Sequence, residues 1–348
     1  MNISIIIPTR NRALQLAETL ESIAIQQLNN NIEVIVIDNG SNDNTKDMVI
    51  HFVKRIPNLI YKFDDMPGLL TGRHLGAEIA SGEILCFLDD DVGLNPNYLK
   101  HLANTFSNNP SIHLATGPCL PKFEITPPKW LEYFWDKTLY GKCCSWLSLL
   151  DFGNIEIDIS PMFMWGLNFC IRKSTLIDLG GFHPDCIPDH LQQFQGDGET
   201  GLASKAIKNG ISTKYIPGLM LKHYVAKNRL TFEYFKRRAF YQGVCNSFTS
   251  LRITNNPQEN IQKKRKEVKT IKKKLRDRLH PFYRWIKLLA PSKKKRLPKD
   301  IKILFDNLAQ IEADGYNFHQ LHFNNNRHVK DWVLKENYWD YKLPLNDR

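Results

Sequence analysis

The chain has 348 residues, 42% hydrophobic and 24% charged, with 47 Lys+Arg against 36 Asp+Glu and a formal net charge of +11. Such a chain is an ordinary globular protein that buries about three quarters of its unfolded surface and needs no disulfides or structural metal. No apolar run approaches the roughly 20 residues that span a bilayer, and the N-terminus lacks the basic start of a signal peptide. Seven cysteines without metal or disulfide spacing favour a reducing compartment.

In chain order, Ile3 to Ile7 reads as a buried strand stopped by Pro8, and Leu14 to Leu28 as a helix. Val34 to Ile37 is a second strand ending at Asp38, with Asn39 to Asn42 a loop and Asp43 to Lys54 a helix. Leu59 to Phe63 is a third strand, and Thr71 to Ala80 a helix closed by Ser81-Gly82. Ile84 to Leu88 is a fourth strand that runs into Asp89-Asp90-Asp91. Strands alternating with helices imply βαβ units and a mostly parallel sheet, whose ligands sit beyond the carboxyl ends of the strands. Three of these ends are polar: Thr9-Arg10, Asp38 and the aspartate run.

Three adjacent carboxylates repel, so at least one should titrate high unless a cation offsets the charge. Hard oxygen ligands suit Mg²⁺ or Mn²⁺, which share one or two carboxylates with substrate phosphates. The competing reading is a solvated acidic turn capping the next helix. Asp38 is placed to accept from a nucleobase or ribose, or else to cap a helix. Neither a GxGxxG nor a P-loop motif is present, so a nucleotide would be held by strand-end carboxylates and a metal.

The segments IIIPTRNR, VIDNGSNDNT and GLLTGRHLGAEIASGEILCFLDDDV resemble glycosyltransferase family 2, of the GT-A fold, as do MWGLNFCIRKSTLIDLGGFHPD and GDGETGLASKAIKNG further on. The likeness implies an α/β GT-A fold, a Rossmann-like mixed, mostly parallel sheet flanked by helices, with a basic helical region at the C-terminal end. It implies that Pro8, Thr9, Arg10 and Arg12 line the nucleotide pocket, that Asp38 pairs with the base and that Arg73 lies near the donor. His74 stands where the family usually has Asn. Asp89 and Asp91 would form the DxD motif, Asp91 on the metal and Asp89 facing ribose or metal, with Asp90 in the donor site between them. His223 would complete the metal or diphosphate site.

The family places its catalytic base 11 residues before a glycine, in a Glu-Asp pair. Glu199 lies 11 before Gly210, while Gly198 takes the Glu position and Asp197 sits one further back. The resemblance thus makes Glu199 the base and Asp197 its support; by themselves, these residues equally suit the first turn of a helix. Trp165 is a candidate for stacking on the acceptor sugar, with Asn168 beside it; Trp165 equally suits the core. Residues 118 to 165 hold many aromatics, including Trp130, Trp135 and Trp146, which suit either acceptor specificity or a structural subdomain.

Residues 251–300 hold 18 Lys+Arg and 4 Asp+Glu, a net of +14, against −2 for 1–250 and −1 for 301–348. The expected division is a glycosyltransferase domain over 1–250, with a donor half to about 118 and an acceptor half over 119–250, followed by 251–348 as a basic amphipathic helical region. Ile261, Val268, Ile271, Leu275, Leu279, Phe282, Ile286 and Leu289 recur at helical spacings among lysines, with Pro281 as a kink. Such a face suits an anionic membrane surface through 261–296; a solvated helix and a nucleic-acid contact are the alternatives, and nucleic acid is not expected.

The resulting expectation is a metal-dependent (Mn²⁺ or Mg²⁺), inverting glycosyltransferase. It moves a sugar from a nucleotide-diphosphate donor, a UDP-sugar first, to a hydroxyl of a saccharide or lipid-linked acceptor in cell-surface glycan synthesis. It would work in the cytoplasm on the inner face of the membrane. A nucleotidyltransferase is disfavoured because PTRNRALQ has neither the glycine nor the lysine of its loop. The rival from another class is an inactive, transferase-like protein that binds sugar or RNA.

Overall fold

The computed structural model describes residues 1–26, 31–255 and 298–344. The basic segment 261–296 therefore lies outside the described residues, as does the end of the expected helix to Leu28. Strand β1 (Ile3–Thr9) is buried along its whole length and is followed by helix α1 (Ala13–Ala24). The chain continues through β2 (Ile32–Asp38), α2 (Thr45–Phe52), β3 (Leu59–Phe63), α3 (Leu69–Ile79) and β4 (Ile84–Leu88). The β1–β2, β2–β3 and β1–β4 pairs are all parallel, as the alternation of elements requires.

Two local expectations are corrected and one alternative reading is removed. Pro8 does not end β1, which continues in register with Ile37 and Asp38 of β2 through Pro8 and Thr9; proline's fixed φ is compatible with extended backbone. Helix α3 is not closed by a glycine: Ala80 leaves it extended, and the amide of Gly82 donates to Ser4 Oγ at 2.8 Å. The aspartate run does not cap a helix, because it leads straight into β5 (Val92–Leu94), and α4 (Tyr98–Asn108) begins only after Asn97.

Beyond α4 come β6 (Leu114–Thr116) and β7 (Cys119–Phe123), then the short strands β8 (Asp136–Lys137), β9 (Lys142–Cys144), β10 (Leu149–Asp151) and β11 (Ile157–Ile159). β12 (Asn168–Arg172), α5 (Lys173–Asp178), α6 (Glu199–Lys208), β13 (Thr213–Tyr215) and β14 (Leu221–Val225) follow. The main sheet has eight strands in the order β11-β13-β6-β12-β4-β1-β2-β3. Its β12 runs antiparallel to both β4 and β6, so the sheet is mixed, as expected of this fold. A second, six-stranded sheet takes the order β5-β14-β7-β10-β9-β8.

The aromatics of the 118–165 segment serve this second layer. Trp146 stacks on Phe235 at 5.3 Å between ring centroids, and Trp130 and Phe134 meet the same ring edge-on at 5.0 and 4.5 Å. Phe235 belongs to α7 (Phe232–Thr254), along which α8 (Lys299–Asn325) lies, followed by the short α9 (Arg327–Val333). The two long helices can touch because Gly243 and Gly315 face each other's backbones. A Cβ at Gly243 would lie 1.9 Å from the Glu312 carbonyl oxygen, and one at Gly315 would lie 2.1 Å from that of Phe240. Val329, Trp332, Val333, Tyr338 and Leu343 are buried with α3, α6 and β12 residues in one apolar core, so the C-terminal segment is part of the body.

Candidate active site at the carboxyl ends of the sheet

Because β1, β2 and β4 are parallel and in register, Thr9, Asp38 and Asp89 reach the same edge of the sheet. There Thr9 Oγ1 donates to Asp90 Oδ2 at 2.7 Å. Arg12, from the turn before α1, places Nε 3.2 Å from Asp90 Oδ1 and Nη2 2.6 Å from Asp91 Oδ2. Arg229 reaches the same Asp91 oxygen from the far side at 3.2 Å. His223, on β14, lies with Nε2 3.6 Å from Asp91 Oδ1 and 2.7 Å from Arg229 Nη1, while its Nδ1 faces the Leu147 carbonyl at 2.9 Å.

The three aspartates are thereby made different, as charge repulsion requires. Burial, with the nearby charge of Asp91, raises the Asp89 carboxyl. Burial pushes Asp90 up to about 7 against the pull of Arg12. Burial would also raise Asp91, but His223, Arg229 and Arg12 outweigh it and hold that carboxyl well below the usual range. Asp38 is buried at the end of β2; its Oδ1 accepts from the Ser41 amide at 2.8 Å and its Oδ2 from the Tyr61 hydroxyl at 2.7 Å. Pro8 is buried beneath α3, where a Cβ at Gly72 would lie 2.5 Å from its Cβ. Arg10 is exposed at the rim.

On the acceptor side, Glu199 is the first residue of α6, and its Oε1 accepts from Arg73 Nη2 at 2.6 Å. Arg73 is buried within α3, so this pair ties the donor-side helix to the acceptor-side helix. Burial would lower the guanidinium, but Glu199 and Asp185 outweigh it and keep it firmly charged. Gly166 covers the pair: a Cβ there would lie 1.8 Å from Arg73 Nη2 and 2.3 Å from Glu199 Oε1.

Two of the expected site residues lie inward. Asn168 is fully buried and spends its amide internally, accepting from the Tyr98 hydroxyl at 2.6 Å and donating to the Leu219 carbonyl at 2.8 Å. It fastens β12 to its neighbours and is not an acceptor contact. Asp197 is buried with both oxygens taken, by His183 Nδ1 and by Thr249 Oγ1, each at 2.6 Å. It supports the start of α6 from behind. Trp165 is half-buried and packs on the main core, next to the Gly166 turn.

Three site residues escaped the sequence reading. Arg229 belongs to a charged 3₁₀ turn, and only the fold carries it onto Asp91. Tyr61 lies on the edge strand β3 and reaches Asp38 across the β2–β3 pairing. Asp185, inside the GGFHPD segment, is raised by burial and by Glu199 against the pull of Arg73. Its Oδ1 is fixed by Gln195 Nε2 and the Cys186 amide, each at 2.8 Å.

Among the described residues no group of three or more His, Cys, Asp or Glu is gathered as a ready metal cage. The chemistry nevertheless fits a hard cation shared with substrate phosphates, which needs only one or two protein carboxylates. Asp91 Oδ1 is buried without a hydrogen-bond partner, whereas Nε2 of His223, the ring nitrogen not facing the Leu147 carbonyl, accepts from Arg229 Nη1 at 2.7 Å and would ligate a metal only by exchanging that contact.

Residues 4–170 match the family model described as Glycosyl transferase family 2. Validoxylamine A glucosyltransferase of Streptomyces hygroscopicus subsp. jinggangensis is 28% identical over 204 residues, covering 53% of this chain and 47% of that protein. The chain thus spans about half the length of that relative. Glucosyl-dolichyl phosphate glucuronosyltransferase of Haloferax volcanii is 21% identical over 247 residues, 70% of this chain and 75% of that protein. Among solved structures, GalNAc-T7 with UDP, GalNAc and Mn²⁺ has a TM-score of 0.50 at 18% identity, covering 70% of this chain and 48% of that one. The resemblance to glycosyltransferase family 2 is thereby borne out over residues 4–170, and the GT-A fold with it.

Proposed function

With residues 4–170 a glycosyltransferase family 2 domain, we propose that the chain moves a sugar from a UDP-sugar to a hydroxyl of a saccharide or lipid-linked acceptor, with inversion at the anomeric carbon. The observation that carries this reading is the asymmetric site: a cation-rich group around Asp91 at the sheet edge, and a single carboxylate, Glu199, held opposite by Arg73. Arg12 and Arg229 are placed to attract the donor diphosphate, and Asp38 with Tyr61 forms the polar floor for the base or ribose. Asp91, Asp89 and His223 would hold Mn²⁺ or Mg²⁺, which supplies charge neutralisation for the leaving diphosphate. Glu199 takes the proton of the acceptor hydroxyl, and Arg73 fixes which way its carboxylate faces.

The dolichyl phosphate in the name of the Haloferax relative and the basic segment 261–296 support a lipid-linked acceptor and work at a membrane surface. No helix among the described residues is long and apolar enough to cross one.

The test is UDP release from a panel of UDP-sugars with Mn²⁺. Asp91→Ala and Glu199→Gln should each lower turnover by a factor of about 10² or more, the scale of losing one general base or charge clamp. Asp91→Ala and chelator should also abolish the thermal stabilisation that UDP gives wild type, whereas Glu199→Gln should keep it. Full turnover in both variants would overturn the assignment.

A further inference from the structure

Helix α7 borders the acceptor side of the site and is tied to its loop by one side chain per turn. Thr249 Oγ1 donates to Asp197 at 2.6 Å, Cys245 Sγ to the Gly196 carbonyl at 2.9 Å, and Tyr241 Oη to Asp189 at 2.5 Å. Just before the helix, Arg229 is tied to Asp91. Arg238 lies between these anchors, three residues before Tyr241 and seven before Cys245, so it shares their face. It is half-buried, yet among the described residues no carboxylate lies within ion-pair distance of it and no group accepts a hydrogen bond from it.

Its nitrogens are not among the buried atoms left without a partner, so a guanidinium with five donors is open to solvent and to a ligand. Burial would lower it, but Tyr234, Asp185, Cys186 and Cys245 outweigh that and keep it charged. Asp185 is within electrostatic reach but does not pair with it: its Oδ1 is held by Gln195 and the Cys186 amide, and its charge is felt by Glu199 and Arg73. Arg238 thus presents an uncommitted fork of donors on the face of α7 that is tied to Gly196 and Asp197, the residues leading into Glu199. Such a fork matches the two oxygens of a phosphate or carboxylate.

We infer that Arg238 binds an oxyanion carried by the acceptor beside its reacting hydroxyl, so that the acceptor is an acidic saccharide or a polyol phosphate rather than a neutral sugar. The inference rests on the transferase reading above, with Glu199 on the acceptor side.

Ligand-observed NMR on the full chain with UDP and Mn²⁺ tests it, using glycerol 3-phosphate and glucuronic acid against glycerol and glucose. At least one anionic probe should bind about tenfold more tightly than its neutral counterpart, and which one does so separates phosphate from carboxylate. Arg238→Gln should remove that preference and Arg238→Lys should retain part of it. Survival of the preference in Arg238→Gln would place the anion on the basic segment and overturn the proposal. Equal binding of charged and neutral probes by wild type also overturns it. So does loss of UDP binding in a folded Arg238→Gln chain, which would assign Arg238 to the donor. Failure of wild type to bind UDP, with the Arg238-dependent preference intact, would instead sink the donor reading and leave this site standing.

Discussion

At the scale of single residues, the site depends on how few atoms separate its two halves. Arg73 and Glu199 stand far apart in sequence and meet at 2.6 Å under a glycine that has no room for a methyl group. Gly166→Ala must therefore displace one member of the pair. The expected result is a loss of transfer of at least about tenfold, with UDP stabilisation retained, because Arg12 and Arg229 beside Asp91 are untouched. Wild-type turnover in Gly166→Ala would show that the Arg73–Glu199 contact is not needed in that geometry. The aspartate run teaches a related lesson. Its three carboxylates were legible as a cluster, but their division of labour was not: it depends on Arg12 from β1's end, and on His223 and Arg229 from over 130 residues away.

At the scale of elements, His74, which stands where the resembled family usually has asparagine, joins three parts of the fold. Its Nε2 accepts from the Phe182 amide at 2.9 Å, its Nδ1 faces the Tyr338 carbonyl at 2.8 Å, and its ring stacks on Trp339 at 4.4 Å. One neutral imidazole thus joins α3, the Gly180-Gly181-Phe182 turn and the C-terminal segment. Burial pushes its pKa down to about 3 from an ordinary 6.5, so the unfolded chain binds the proton and the folded one does not. Its contribution is complete above pH 6.5 and is lost as pH falls from there toward 3. The slope is at most about 1.4 kcal/mol per pH unit for this one group. Buried His319, pushed down to about 4, acts with the same sign. Melting curves between pH 7 and pH 5 should show His74→Asn less stable than wild type at pH 7 but less sensitive to acid. Equal acid sensitivity would remove His74 from the account.

The α7–α8 crossing is the second element-scale case. Nothing in either sequence marked Gly243 or Gly315 as contact points, because each helix is simply amphipathic when read alone. With the backbones this close, Gly315→Ala should destabilise by about 1–3 kcal/mol through overpacking, despite alanine's better helix propensity. A gain in melting temperature would mean the helices can part without cost.

At the scale of the whole molecule, the charge separates into a near-neutral body and a segment of net +14 over 251–300. If that segment places the enzyme on a membrane, the full chain should float with vesicles containing anionic phosphatidylserine. Binding should weaken steeply between 0.1 and 1 M salt as the Debye length shrinks from about 10 to 3 Å. Absence of flotation at physiological salt would rule the membrane out as partner. The segment's own sequence supports this prediction.

The sequence by itself determined the alternation of strands and helices, the parallel core around β1 and the strand ends where chemistry gathers, because these follow from local periodicity and from polar residues that stop apolar runs. It also placed Glu199 at a helix start and the aspartates after a buried strand, since both are local patterns. Only the tertiary structure decided which polar residues face the cleft. It turned Asn168 and Asp197 inward, where each has its polar atoms satisfied, and brought Arg229 onto Asp91 and Asp185 into the field of Arg73 and Glu199. The physical reason is that hydrogen-bond satisfaction is settled between segments far apart in the chain. A residue's type shows that it needs a partner, and only the fold shows whether the protein has already supplied one.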